Sequence, residues 1–378
     1  MKERSFMALT IALLMFPQIA QTLYSPALAD FSRAFAVPPD IAAQALSVYF
    51  LAFAIGVALW GRACDYMGRR MAMLAGLTIY AGASAAALAV NTFDGVLITQ
   101  ACAAFGVSVG SVVTQTILRD RFEGAELAKA FSIAGIVLAA SPALGLFTGE
   151  RIVQGFGYRG VMACLLGSAL LLWGWSALAL PETRPATQPA VSLFSTLRRM
   201  AGDPSIWRSA ALVALFNVAL FSYYALGPFL FQRLHLRDEL YGYSGAVLAV
   251  GASAGSWLNK KMLARGAHGD QLVRLAAWLT LGGGMGVCAL QETEWFLAPV
   301  LVVVLAFGLA IPNLLGKALA TYQDRLGTAG ALFGLLYYLM IGAGMMAVGW
   351  SQALGGALTA CGGLAILLCI RGARSMAR

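Results

Sequence analysis

The feature that most constrains this chain is a series of apolar blocks, each about 20 residues long and separated by short polar stretches. A helix of ~20 apolar residues crosses the ~30 Å hydrocarbon core of a bilayer and satisfies its backbone polar groups internally. Hydrophobic residues make up 60% of the chain and charged residues 11%, whereas soluble domains average roughly 45–50% and 25%. We therefore expect an integral membrane protein and exclude an ordinary soluble enzyme.

The blocks predict an all-α integral membrane fold with twelve transmembrane helices, numbered here as segments 1 to 12, in two six-helix halves. Segment 1 carries Gln18 and Gln21, so we expect a retained helix and not a cleaved signal peptide. The first six segments are expected at residues 6–27, 41–60, 71–90, 95–118, 126–148 and 159–180. The second six are expected at residues 206–230, 240–259, 272–290, 296–316, 328–350 and 352–370.

The longest polar stretch divides the chain into an N-terminal half (1–181), a central linker (182–205) and a C-terminal half (206–378). Within the linker, VSLFSTLRRM has the pattern of a short amphipathic helix on the membrane surface, with Arg198 and Arg199 toward lipid headgroups. A disordered basic loop is an equally good interpretation of the same residues.

The distribution of Lys and Arg predicts the orientation, because short loops rich in these residues stay in the cytoplasm. With both termini inside, 21 of the 26 Lys and Arg residues fall on the cytoplasmic side. The remaining 5 are Arg33, Arg151, Arg159, Arg233 and Arg237. The net charge of +9 is therefore explained by membrane topology, and we expect no nucleic-acid partner.

The connection between segments 2 and 3 contains GRACDYMGRR, in which Gly61, Asp65, Gly68, Arg69 and Arg70 follow the pattern G-x-x-x-D-x-x-G-R-R. Glycine permits a tight turn and close backbone approach. Asp65 can accept charge-assisted hydrogen bonds from Arg69 or from a neighbouring helix. We expect this gating motif to hold the cytoplasmic face closed and to loosen when that face opens. A turn that is merely positive would explain the arginines but not Asp65 or the glycines.

This motif resembles the signature of the major facilitator superfamily. IAQTLYSPALADFSRAF in segment 1, LPETRP after segment 6 and GTAGALFG at the start of segment 11 resemble the Bcr/CflA group of drug exporters, with segment 1 most similar to EmrD-type multidrug transporters. The resemblance implies a multi-pass carrier of the bacterial inner membrane that exports small, largely apolar molecules by alternating access, in exchange for protons. We expect a monomer in the lipid bilayer.

Two segments depart from the pattern of that group. Many members carry an arginine in the fourth helix, whereas ITQACAAFG has Gln100 there. The fifth-helix antiporter pattern is reduced to SPALGL, which keeps Pro142 and Gly145 and predicts a kink at the proline.

No carboxylate is predicted at mid-membrane, so proton exchange would use Asp65, Asp30 or Glu150 near the surfaces, or bound water. The pairs Asp30–Arg33 and Glu150–Arg151 are interpreted as loop anchors. The alternative function is a dedicated exporter of one endogenous metabolite, such as a siderophore or a nucleoside, without proton coupling.

The family layout implies that segments 1, 4, 7 and 10 line a central cavity flanked by segments 2, 5, 8 and 11. Uncharged amides and aromatic rings there would suit neutral or amphipathic ligands. The same residues could instead serve as interhelical hydrogen-bond partners. The candidates are Gln18, Gln21, Tyr24, Tyr49, Phe53, Gln115, Asn217, Tyr223, Tyr224, Asn313, Tyr337 and Tyr338.

Cofactors and metals are not expected. The six cysteines have no paired spacing in an outer loop, and His235 and His268 lie far apart in predicted loops. No His, Asp, Glu or Ser constellation typical of an active site falls inside the apolar blocks, so we expect no enzymatic activity.

Overall fold

The computed structural model describes residues 3–185 and 193–376, and these residues form helices joined by short connections. The first group of helices is α1 (Glu3–Tyr24), α2 (Ala27–Ala34), α3 (Pro39–Met67), α4 (Arg69–Ala89), α5 (Phe93–Arg121) and α6 (Gly124–Ala179). A short helix, α7 (Leu193–Ala201), follows. The second group is α8 (Pro204–Arg233), α9 (Asp238–Ala264), α10 (Gly269–Leu290), α11 (Leu297–Ala318), α12 (Leu326–Ser351) and α13 (Leu354–Met376).

Nine helical stretches within the described residues are long and apolar enough to cross a membrane. They include one stretch of α6, Ser141–Ala179, whereas α9 is less apolar and the apolar part of α13, Leu354–Ile370, is shorter. The long α6 contains both segment 5 and segment 6. When α6 is counted as two crossings and α9 and α13 are included, the structure is an all-α membrane fold of twelve transmembrane helices.

Successive crossings place the chain turns at two ends of the helix bundle. We call the end that carries the α3–α4 turn and α7 the basic end. We call the end that carries α2 and the α8–α9 connection the opposite end.

Two predicted connections are much shorter in the structure than in the sequence prediction. Helix α3 continues to Met67, directly before Gly68. In the predicted connection 149–158, the residues before Gly157 continue the helix. Within α6 the backbone leaves the helical region at Gly157, with φ 62°. The backbone N–H of Tyr158, the next residue, donates to Asp30 Oδ2 at 2.7 Å. One glycine and one capping carboxylate therefore replace a loop.

Segment 1 is also divided differently from the prediction. Helix α1 ends at Tyr24, and the chain continues after Ser25 and Pro26 as α2. Proline disfavours helical backbone in the residue before it, which explains the break at Ser25. Asp30 and Arg33 therefore pair at 3.2 Å on a helix and not in a loop.

The described part of VSLFSTLRRM forms a helix, α7, as one of the two interpretations predicted; Val191 and Ser192 lie outside the described residues. Arg199, which was expected toward lipid headgroups, also contacts protein. Its guanidinium stacks on Tyr322 at 4.8 Å and donates to Thr321 O at 3.1 Å. Thr196 and Met200 are buried, so one face of α7 rests on the bundle, which turns Arg199 toward protein.

Small residues let the membrane helices approach closely. A Cβ placed on Gly106 of α5 would lie 2.7 Å from the carbonyl oxygen of Gly76 in α4. The second group repeats this arrangement where Gly308 of α11 meets the backbone of α9 at Gly255. Because lipid tails are as apolar as leucine, such close packing is a main source of helix association in membranes.

Candidate functional site

The gating motif surrounds a one-residue turn at the basic end. Gly68 alone separates α3 from α4, with φ 91° and ψ 159°. A side chain rarely adopts this conformation, and a Cβ on Gly68 would lie 2.9 Å from the carboxyl carbon of Glu182. The predicted tight turn therefore requires glycine for two independent reasons.

Arg69, the first residue of α4, is the centre of a buried ion-pair cluster. Its side chain is 1% exposed. The guanidinium contacts Asp65 Oδ1 at 3.2 Å and Asp120 Oδ2 at 2.7 Å, and it donates to Cys64 O at 3.0 Å. A buried cation is tolerated when carboxylates and hydrogen-bond acceptors surround it in this way. The cluster ties together the ends of α3, α4 and α5.

Glu182, just after α6, caps the N-terminus of α4. Its Oε1 accepts from the backbone N–H of Arg69 at 2.9 Å, and its Oε2 accepts from that of Arg70 at 3.2 Å. Oε1 also accepts from the N–H groups of Thr183 and Arg184. Partial burial by itself raises the pKa of Glu182, but these four donors outweigh it and lower the pKa below its usual value. We call Asp65, Arg69, Asp120 and Glu182 the latch cluster.

Sequence reasoning found Asp65 and Arg69 but not their partners Asp120 and Glu182. Glu182 belongs to LPETRP, a stretch to which the sequence pattern assigns no role. Thr183 Oγ1 also donates to Asp120 Oδ2 at 3.2 Å, and Arg184 Nη1 donates to Tyr66 O at 2.7 Å. The segment after α6 therefore binds directly to the gating motif.

Gly61 and Arg70 occupy the margins of this cluster. Gly61 faces α12, where a Cβ would lie 3.3 Å from Ala331 Cβ, so the motif begins where the two helix groups meet. Arg70 Nη2 donates to Ala177 O at 2.5 Å and leaves the rest of its side chain exposed.

Polar bonds between the two helix groups gather at the opposite end. Ser25 Oγ donates to Tyr224 O and lies 2.7 Å from Tyr241 Oη. Gln44 Nε2 donates to Met346 O at 3.3 Å, and Arg151 Nη2 donates to Tyr243 Oη at 2.7 Å. Among the described residues, these bonds join the first group to the second near α2. The opposite end of the bundle is therefore closed in this structure.

Glu150 lies within this closed region. It is 7% exposed, and no other described acidic side chain falls in the buried class. A Cβ placed on Gly242 of α9 would lie only 2.9 Å from Glu150 Cβ, so Glu150 packs between the two helix groups. Gln154 Nε2 donates to Glu150 Oε1 at 3.2 Å. Arg151 donates to Tyr243 of α9, which differs from the expected loop anchor between neighbouring residues.

Several candidate cavity residues form a chain of aromatic contacts between the groups. Tyr49 and Phe53 of α3 stack at 5.7 Å between ring centroids, and Phe53 lies 4.8 Å from Tyr338 of α12. Tyr338 lies 4.5 Å from Tyr337. We call these rings, together with Phe50, Phe221 and Tyr224, which continue the contacts into α8, the aromatic seam.

The candidates on segment 1 behave differently. Gln21 Nε2 and Tyr24 Oη are buried and have no hydrogen-bond partner among the described residues. Gln18, one turn before Gln21, is half-buried on the same helix. Buried polar atoms without partners are uncommon in proteins. These two atoms are therefore available to a bound molecule or water.

Three amide candidates lie elsewhere. Asn217 Nδ2 donates to Val213 O at 2.8 Å within α8. Asn313 Nδ2 donates to Asn259 Oδ1 at 2.6 Å, which links α11 to α9 near the basic end. Gln115 is half-buried on α5. Tyr223, a fourth candidate, donates to Ser244 Oγ in the closed region. The contacts of Asn313 and Tyr223 are of the interhelical kind that was the alternative interpretation.

The helix 5 candidates lie in α6. Helical backbone continues through Pro142. Gly145 packs against α1, where a Cβ would lie 2.8 Å from Ile19 O. Gly145 therefore supports close contact between α1 and α6.

Two cavities lie outside the aromatic seam. One, of about 670 Å³, is lined by Arg70, Arg121 and Pro181 at the basic end, and one of about 280 Å³ is lined by Glu150 at the opposite end. Within residues 3–185 and 193–376, no three His, Cys, Asp or Glu side chains converge as metal ligands would.

Comparison with known proteins agrees with this geometry. The model of the Major Facilitator Superfamily matches residues 10–345. An uncharacterized transporter of Rickettsia bellii is 29% identical over 343 residues, covering 86% of this chain and 84% of that protein. Multidrug resistance protein D of Escherichia coli is 27% identical over 202 residues, covering 53% of this chain and 50% of that protein.

A solved structure has the same fold. It is a bacterial homologue of the human lysosomal transporter Spinster, in an inward-facing and unoccupied conformation. It superposes with a TM-score of 0.74 at 12% identity, covering 98% of this chain and 96% of that one. The family match, the multidrug-resistance relative and the shared fold confirm the resemblance seen in the sequence: the chain is a transporter, not an enzyme, and belongs to the Major Facilitator Superfamily.

Proposed function

We propose that this carrier exports small, largely apolar or amphipathic molecules by alternating access, in exchange for protons. The observation that carries the proposal is the aromatic seam, in which uncharged rings of both helix groups meet on the scaffold of a transporter family. Tyr337 and Tyr338 are only half-buried, so part of each ring can contact a ligand. The multidrug-resistance relative supports the same substrate class.

Substrate would bind between the seam and segment 1. Stacking on tyrosine and phenylalanine suits aromatic or lipophilic ligands. Gln21 Nε2 and Tyr24 Oη supply one amide and one hydroxyl that lack protein partners among the described residues. Few polar groups among many rings favour broad recognition over recognition of one charged ligand.

Alternating access follows from the unequal ends of the bundle. At the opposite end, the hydrogen bonds of Ser25, Gln44 and Arg151 join the two groups. At the basic end, the groups meet through the packing of α3 against α12, for example where Gly334 approaches Val57. The excess of Lys and Arg assigns the basic end to the cytoplasm of a bacterial inner-membrane protein with both termini inside. On that assignment the end closed by the bonds of Ser25, Gln44 and Arg151 is the outer one.

The units that move are the proposed halves, 1–181 and 206–378, joined by the linker 182–205 in a monomer. Rocking of one half on the other would separate α6 from α9 at the opposite end. The latch cluster joins the first half to Glu182 at the start of the linker, and it would hold the basic end closed and loosen when that end opens.

Glu150 is the proposed proton-coupling carboxylate. Of the three candidate acids, Glu150 is the one buried at a surface that must open and close. A carboxylate is charged at lower cost when its surroundings are open to water. Opening of the opposite end would therefore expose Glu150 to water and favour exchange of its proton.

The test is transport into inverted membrane vesicles, measured with and without a pH gradient, with lipophilic dyes as substrates. Uptake that depends on the gradient is expected, together with lowered resistance to several dyes or antibiotics in a deletion strain. Glu150→Gln should remove the gradient dependence while Glu292→Gln, an exposed acid, should not. Unchanged resistance across a broad panel would contradict drug export.

A dedicated metabolite exporter without proton coupling is a second candidate, favoured by Gln100. This amide is buried in α5 where the drug-exporter group often has arginine. Secretion of one endogenous compound that disappears in the deletion strain, with unchanged dye resistance and no gradient dependence, would favour this candidate.

A further inference from the structure

The larger cavity, of about 670 Å³, is not used by the proposed transport path. It lies at the basic end among the start of α1, the start of α4, the end of α5 and both ends of α6. Its walls combine two arginines and one acid with apolar side chains. The residues that matter here are Phe6, Arg70, Arg121, Phe122, Glu126 and Leu178.

The two arginines are exposed but held in place. The Arg121 guanidinium lies 6.0 Å from the ring centroid of Phe6, and Arg70 Nη2 donates to Ala177 O. With Glu126, the charged side chains of the cavity sum to +1. Guanidinium groups bind phosphate through several parallel hydrogen bonds, so two of them facing one cavity favour a phosphate group.

The apolar walls distinguish the cavity from a site for a free anion. Leu178, on the last turn of α6, is 91% exposed, and Leu171, seven residues earlier on the same helix face, is 76% exposed. On a membrane helix, a line of exposed leucines is a surface for acyl chains. This leucine surface runs along α6 toward the end of the bundle that carries the two arginines.

We propose that this cavity binds the phosphate headgroup of a glycerophospholipid, with the acyl chains along Leu171 and Leu178. The cavity also lies next to the latch cluster along the chain. Pro181 lines the cavity and precedes Glu182, and the backbone N–H of Arg70 donates to Glu182. Occupation of the cavity therefore reinforces the junction between α4 and the end of α6.

The test is native mass spectrometry of the purified full chain in detergent, titrated with phosphatidylglycerol. Diacylglycerol with the same chains tests the need for phosphate, and inorganic phosphate tests the need for a lipid. Arg121→Gln should retain phosphatidylglycerol roughly fivefold less well. Arg198→Gln, which removes an exposed arginine of α7 at the same end, is the matched control and should leave retention unchanged.

Leu178→Glu provides an independent variant, because a side chain that is 91% exposed packs against little protein and its replacement brings negative charge to the cavity. It should reduce retention as Arg121→Gln does. Equal retention by the two cavity variants and the control would overturn the proposal. Equal retention of diacylglycerol, or displacement of phosphatidylglycerol by millimolar inorganic phosphate, would overturn it as well.

Discussion

Two of the inter-helix turns at the basic end, α3–α4 and α9–α10, are built alike but are stabilised very differently. Each contains a glycine with positive φ, Gly68 at 91° and Gly266 at 88°. Each is followed by an ion pair of 2.7 Å between the start of one helix and the end of the next. The pair is Arg69–Asp120 in the first group and Lys317–Asp270 in the second, with the charges exchanged.

Burial separates the two pairs. The side chains of Arg69 and Asp120 are 1% and 10% exposed, whereas those of Lys317 and Asp270 are 58% and 47% exposed. An exposed pair contributes about 0–1 kcal/mol, but removal of one partner from a buried pair costs about 3–5 kcal/mol. The two ion pairs therefore have the same length but different roles: the first stabilises a buried latch, and the second is a solvated surface contact.

Removal of Arg69 should have the largest effect. Arg69→Ala leaves Asp120 and Asp65 without their shared cation and should lower the free energy of unfolding by about 3–5 kcal/mol. Lys317→Ala is the matched control and should cost less than about 1 kcal/mol. Thermal unfolding of both variants in detergent checks this, and similar melting temperatures would remove the contrast.

Alanine at the two turn glycines should give the next effect. Both substitutions force a side chain into positive φ, at a cost of about 1–2 kcal/mol. Gly68→Ala must also displace Glu182, whereas a Cβ at Gly266 meets nothing within 4 Å. The same unfolding measurement should therefore rank Gly68→Ala below Gly266→Ala in stability, and equal melting temperatures would show that Glu182 is not held against the turn.

Asp65→Asn tests the latch in transport. Asp65 is 38% exposed, so its loss should cost little stability, but its ion pair with Arg69 weakens and the latch loosens. We expect dye transport in proteoliposomes to fall several-fold, while Asp270→Asn stays near wild type. Normal flux in Asp65→Asn would refute a gating role.

The pH dependence of the latch should give the smallest effect. The pKa of Glu182 is lowered in the folded chain, so its contribution is present above the unfolded pKa of ~4.3 and is lost as pH falls through the folded value. Glu182→Gln should flatten the change of melting temperature between about pH 5 and pH 3. Since Glu182 is exposed, a shift of a few degrees is expected, and parallel curves for wild type and variant would contradict the cap.

Local sequence patterns were sufficient for most of the fold. Block length predicted the crossings, and the glycines of GRACDYMGRR predicted a tight turn that the structure contains at Gly68. The prediction was wrong about the length of connections such as 149–158, because helix ends extend beyond the apolar block whenever a cap such as Asp30 is available.

The partners of the motif could not be predicted in the same way. Asp120 and Glu182 lie 51 and 113 residues from Arg69 along the chain, and both look like ordinary charges at helix ends. Glu150 resembled a loop acid, yet the extension of α6 and its contact with α9 bury it. The stacking of Arg199 on Tyr322 likewise depends on the packing of α7 against the bundle.

The sequence by itself determined the membrane class, the number of crossings and the uncharged character of the seam residues, because hydrophobic length and helical periodicity act over neighbouring residues. Only the tertiary structure decided which charges are buried together and which end of the bundle is closed. Those outcomes depend on packing between helices far apart in the chain, where burial and not spacing determines the energy of an ion pair.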